Sequence, residues 1–360
     1  MREQTATVTP VLSRPYRRAA WGYRVEAAVW PMKQRTYYLP VILPLVALAV
    51  GVAVQRALSF AWVEVLPPAF RVDRVAIAAA EAAARYQTVA MFVILFMTCL
   101  GVAGFAFVMT WRSTPKEKRI RLFVEIVAIA AVTFGLVVLL ELGGRFARHD
   151  LGAGVFERTI GSYPFGGAML GILDLLVLAS NVAALGAAVV VAVAACWMAP
   201  PAIEDPDPGD IEALAADIAA RLQRLKHLLF SAAILLVAGL FCMQAWRHWP
   251  AAFLTDDKVR ETYLAIADAS IQSEAALFVV ILISAFLPVA MHLKAAGAKL
   301  ADALVAADPA AAPARETWLK SRGLVLRPWE RAQRIIAVVS PFLPAALPPL
   351  LEAVKGLFSG

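Results

Sequence analysis

The chain has 360 residues, of which 61% are hydrophobic and 17% charged, with a mean hydropathy of +0.70. Soluble domains carry roughly 45–50% apolar and about 25% charged residues, so most of this chain belongs in lipid and a large soluble enzyme module is excluded. The net charge of +7 comes from Lys and Arg beside apolar blocks, where phospholipid explains them and no nucleic acid is invoked.

Residues 1–37 form a basic cytoplasmic leader. The first apolar block, 38–54, lacks a small-residue cleavage site and reads as a signal anchor. After Pro67-Pro68-Ala69-Phe70, with Asp73 placed to cap it, a short outer helix over 65–88 runs into the second block, 89–110. A basic turn holding Lys116, Lys118, Arg119 and Arg121 precedes the third block, 122–142. The fourth is 169–198. Asp205-Pro206-Asp207-Pro208-Gly209 then breaks the chain within a cytoplasmic loop, 200–227. In that loop Ile211, Leu214, Ile218, Leu222, Leu225 and Leu229 recur at helical spacing behind a cap at Asp210. This helix feeds into the fifth block, 228–246. A second outer helix over 255–274 leads into the sixth, 275–291, which continues inward past Lys294 towards Leu304. The tail, 295–360, holds a Pro-rich break at 308–313 and an apolar segment, 335–351. Four prolines favour a docked or interfacial segment there, with a seventh span as the alternative.

Each block is near the ~20 residues that cross a bilayer as a helix. The sequence therefore predicts an all-α polytopic transmembrane bundle of about six spans, its membrane domain covering 38–294. Alternate inter-block segments hold 24 and 10 of the Lys and Arg. The positive-inside rule puts the richer set, including both termini, in the cytoplasm. Trp111 and Trp197 then mark the inner interface, and Trp62, Trp246 and Trp249 the outer one. Abundant Ala, and Arg in excess of Lys, suit a GC-rich bacterium and an inner-membrane location. Pro250-Ala251-Ala252-Phe253 followed by Asp256 echoes Pro67–Phe70 followed by Asp73. The echo reads as a duplicated helical hairpin, in parallel orientation, or as convergent Ala-rich composition.

Ionisable groups inside spans are costly and serve as functional candidates. Asp174 shares a helical face with Gly167, Gly171 and Asn181, and that face either lines a polar pathway or packs on a neighbour. Glu125 stands one turn from Arg121, and Glu141 four residues before Arg145, as further pathway candidates or as interfacial ion pairs. Pro288 is a candidate hinge or kink. Lys116, Lys118, Arg119, Arg121, Arg322, Arg327, Arg331 and Arg334 form a lipid-facing basic cluster on an anionic inner leaflet.

His227 with His292, and His149 with His248, stand at span ends as two layers, but without a haem-attachment or metal-spaced motif they read as interfacial histidines. No cofactor and no metal is expected. Cys99, Cys196 and Cys242 lie in apolar runs without pairing. The segment 159–166 shares Thr, Gly and Tyr with potassium-channel filters, yet Ser162 and Pro164 interrupt the pattern and an outer turn results. Nucleotide-binding, zinc-protease and serine-hydrolase motifs are missing from the sequence. The leading expectation is a small channel or transporter-like bundle. The alternative is a non-conducting scaffold, sensor or assembly partner, with a haem-bearing redox subunit as a minor reading. Partners would be the bilayer, a second copy or another membrane protein.

Overall fold

The structure is a computed structural model describing residues 41–42, 44–46, 74–142, 166–200, 209–307 and 315–324, which lie within one compact unit, Tyr37–Gly360. The principal helices among the described residues are α1 (Arg74–Ser113), α2 (Arg119–Leu142), α3 (Gly166–Trp197), α4 (Ile211–His248), α5 (Asp257–Ala307) and the short α6 (Arg315–Ser321). Two 3-10 turns, Lys116–Lys118 and Trp249–Phe253, join α1 to α2 and α4 to α5. Among the described residues there is no strand.

Helix starts and stops follow local chemistry. Pro115 separates α1 from the next turn, and Pro250 occupies the start of the Trp249–Phe253 turn, where a missing N–H costs nothing. Asp256 caps α5, its Oδ1 accepting from the N–H of Lys258 at 2.8 Å and of Val259 at 3.3 Å. Asp210 stands at the cap position of α4, but its carboxylate makes no capping bond. Gly323, with φ +67°, closes α6, as Leu324 N–H donates to the Leu319 carbonyl and Gly323 N–H to that of Lys320. That is a Schellman stop. It delivers Leu324, 3% exposed, onto Gly297 of α5.

Among the described residues, four helices are long and apolar enough to cross a bilayer: Ala80–Ser113, Leu170–Trp197, Ile211–Phe253 and Asp257–Ala306. They contain the second, fifth and sixth apolar blocks and all but the two end residues of the fourth. The third block lies in α2, and most of the first lies outside the described residues. On α1 the exposed apolar side chains run from Val89 through Val93, Met97, Leu100 and Phe105 to Val108. That stretch is roughly 28 Å of helix, close to the ~30 Å hydrocarbon core. An apolar belt of this height is what lipid requires of a membrane protein.

The helices are much longer than the belt. The 40, 38 and 51 residues of α1, α4 and α5 correspond to roughly 60, 57 and 76 Å, so each projects beyond it. The helix read from Ile211 does run unbroken to His248, and the sixth block is one helix from Asp257 to Ala307. Packing places α1 against α3 and α4, α4 against α5, and α2 against α3.

Candidate functional site

The bundle interior is apolar through its length. Phe92, Leu95, Cys99, Val102 and Ala106 of α1 meet a layer of α3, α4 and α5 side chains that includes Val191, Leu228, Leu235, Phe286 and Leu293. The buried hydroxyls in these helices are already committed. Thr110 donates to the Ala106 carbonyl, Thr114 to Thr110, Thr133 to Ile129, Ser180 to Val177 and Ser231 to His227, all at 2.7–3.0 Å. Such back-bonding satisfies a hydroxyl within its own helix. Thr88, fully buried, adds a bond across helices, its Oγ1 lying 2.9 Å from the Ala84 carbonyl and 3.1 Å from that of Ala245 on α4.

The polar groups that converge lie instead at the α4–α5 turn. Arg247 donates from Nη1 to Ser270 Oγ at 2.7 Å and from Nη2 to Glu274 Oε1, with both charged side chains only 15% exposed. The Tyr263 hydroxyl donates to the Arg247 carbonyl at 2.9 Å, and His248 Nε2 lies 2.8 Å from Asp268 Oδ1. Trp249 Nε1 donates to Glu81 Oε1 of α1 at 3.3 Å, and Arg85 stands 3.6 Å from the same oxygen. Beneath this network Trp249, Phe253, Leu254 and Tyr263 form a small core with Leu173 of α3. Trp246 bridges it to the main core through edge contacts with Phe92 at 6.1 Å and Trp249 at 6.0 Å. Buried Trp and Tyr with partnered polar atoms suit a boundary between apolar and wet surroundings.

Asp174 and Asn181 are exposed on α3 and bond to no other described residue. Leu173, beside Asp174, packs with Trp249, so Asp174 stands at the level of the α4–α5 turn and Asn181 two turns nearer the middle. Glu125 is paired: Arg121 Nε donates to its Oε1 at 2.8 Å, and Trp197 Nε1 of α3 to its Oε2 at 2.8 Å. Of Glu141, only its place in α2 is described. Pro288 lies inside the unbroken α5. Lys116, Lys118 and Arg121 are exposed near the α1–α2 turn, where Arg119 stacks over Trp111 at 5.3 Å and donates to the Thr114 carbonyl at 3.2 Å. Arg322 is held by Glu212 of α4 at 2.7 Å. Arg327, Arg331, Arg334, Arg145, Asp73 and His149 lie outside the described residues. His227 contacts Gln223 at 3.3 Å, and His292 is exposed. Among the described residues no three His, Cys, Asp or Glu side chains gather as a metal site.

Sequence reasoning passed over Arg247, Tyr263, Asp268, Ser270 and Glu274. One signal was available: Arg247 directly follows the fifth apolar block and Glu274 directly precedes the sixth, so antiparallel packing of the two blocks sets these residues at one height. The chain matches no protein-family model, and no curated protein or solved structure matches it significantly.

Proposed function

We propose that this membrane protein is a non-conducting scaffold or assembly partner, whose rigid bundle holds helical extensions for contact with other membrane components. The observation that carries this reading is the apolar interior among the described residues, in which every buried hydroxyl named above is spent on a backbone carbonyl. A conduit needs polar groups unspent at several depths. The extensions, by contrast, are ordered: the Arg247–Glu274 network ties α5 to α4 at one end, and Leu324 with the Glu212–Arg322 pair ties α6 to the projecting α4 and α5 at the other.

The exposed Asp174–Asn181 face supports a second reading, a channel or transporter whose polar path lies between copies rather than through one. Flux of ions and protons into liposomes bearing the purified protein separates the two. Flux no greater than in empty liposomes, across ions, pH values and voltages, is the expected result. Flux above that level, altered by Asp174→Asn, would replace the scaffold with the conduit.

A further inference from the structure

Two arginines at the end of α1 and on α4 share one groove. Its volume is about 580 Å³, and Gly104, Phe105, Val108 and Met109 of α1 form its apolar wall. Arg112 and Ser113, also of α1, and Arg224 of α4 form its polar end. Arg112 follows the apolar run of α1 and Arg224 precedes that of α4 by one turn, so the polar end lies at the edge of the belt. Neither guanidinium has an acidic partner among the described residues. Ser113 spends its proton on the Thr110 carbonyl at 2.9 Å. Two free guanidinium forks above an apolar trough pair a phosphate-binding geometry with a surface for hydrocarbon. Lys116, Lys118 and Arg121, exposed nearby on the α1–α2 turn, add to the positive field.

We propose that this groove binds an anionic phospholipid, with the headgroup phosphate between Arg112 and Arg224 and an acyl chain along Gly104, Phe105 and Val108. Gly104 gives the chain its room: a Cβ placed there would meet no side chain or neighbouring helix within 4 Å. A free phosphate would use only the polar end and leave the trough unoccupied. The site stands whether or not the protein conducts.

Native mass spectrometry of the detergent-solubilised full chain, titrated with phosphatidylglycerol, phosphatidylcholine or inorganic phosphate, tests the proposal. One phosphatidylglycerol should be retained in preference to phosphatidylcholine. Arg112→Gln and Arg224→Gln should each weaken that retention about tenfold, the effect of one charge-assisted hydrogen-bonded contact, while Lys118→Gln, which contributes only to the surrounding field, lowers it far less. Gly104→Trp should fill the trough and lower retention, and an unfolding temperature equal to wild type would show that the fold is kept, since a Cβ at this position meets nothing within 4 Å. Equal retention of the two lipids, or equal losses in Lys118→Gln and the arginine variants, would overturn the site in favour of diffuse surface charge. Full competition by inorganic phosphate, together with unchanged retention in Gly104→Trp, would overturn the lipid as its occupant.

Discussion

The indole Nε1–H of Trp197 donates to Glu125 Oε2 across the α2–α3 interface at 2.8 Å, while Arg121 holds the other carboxylate oxygen at 2.8 Å. One carboxylate therefore serves a helix–helix contact and a single-turn ion pair. The two functions separate by substitution. Glu125→Ala leaves a partly buried indole N–H without an acceptor, a loss of ~1–3 kcal/mol. Glu125→Gln keeps an acceptor and gives up an ion pair whose Arg121 side chain is 47% exposed, worth ~0–1 kcal/mol. Thermal unfolding in one detergent should show the alanine variant clearly below wild type and the glutamine variant near it. Equal losses would assign the stability to the ion pair instead.

Arg247, at the end of α4, and Glu274, 17 residues into α5, are each 15% exposed. Removing one partner strands a largely buried charge, which costs ~3–5 kcal/mol, whereas exchanging both for apolar residues of similar size is often near neutral. Glu274→Leu should thus be strongly destabilising, with Ser270 providing only part of the lost solvation. Combining it with Arg247→Met should recover most of the loss. A double variant as unstable as the sum of the singles would show that the pair is not coupled.

The membrane belt was readable because it rests on composition over long stretches, and blocks such as 89–110 or 275–291 needed no knowledge of neighbours. Continuity was readable too, since no Pro interrupts the run from Ile211 to His248 and its one glycine, Gly239, sits deep in the apolar block. Partnership was not. Glu125 pointed to Arg121 through a spacing of four, but nothing local pointed to Trp197, 72 residues away. Asp174 drew attention as an ionisable group in an apolar block. Its depth depends on Leu173 meeting Trp249, a contact between helices that periodicity does not encode. Arg247 and Glu274 each read as ordinary block ends until the hairpin put them together.

Orientation gives a prediction that uses the buried cysteines. Cys99, Cys196 and Cys242 are only 2–3% exposed, so they contribute little background to thiol labelling. Lys258, at the start of α5, and Glu316, in α6, lie towards opposite ends of the helical assembly, and both are exposed. The excess of Lys and Arg near α6 expects that end to face the cytoplasm. In intact cells a membrane-impermeant maleimide should label Lys258→Cys and spare Glu316→Cys. Labelling of both, or the reverse pattern, would overturn the orientation.

Pro288 removes the backbone donor that would meet the Ser284 carbonyl, yet α5 passes through it unbroken. Both sides of the proline are anchored, by Ile271, Ala275 and Val279 before it and by Val289, Leu293 and Leu300 after it. A helix packed on both sides of its proline has no free arm to swing. Spin labels replacing Thr262 and Lys299 should therefore give one narrow distance distribution in wild type, shifted to longer distance but no narrower in Pro288→Ala. A broad wild-type distribution that narrows in the variant would identify a hinge.

Asp174 separates stability from transport. It is exposed, level with Trp249, and without a bonding partner among the described residues, so its carboxylate supports no packing contact that substitution could remove. Surface changes of this kind shift stability by about 0.5 kcal/mol or less. Asp174→Asn should insert normally and unfold at the wild-type temperature. With stability unchanged, any alteration of flux in that variant reports on the carboxylate at the pathway. Unchanged flux in a conducting protein would remove Asp174 from that pathway, because the charge would have been neutralised without affecting ion passage. A marked fall in unfolding temperature would instead reveal that Asp174 meets a partner in the assembled protein, and would assign the α3 face to an interface.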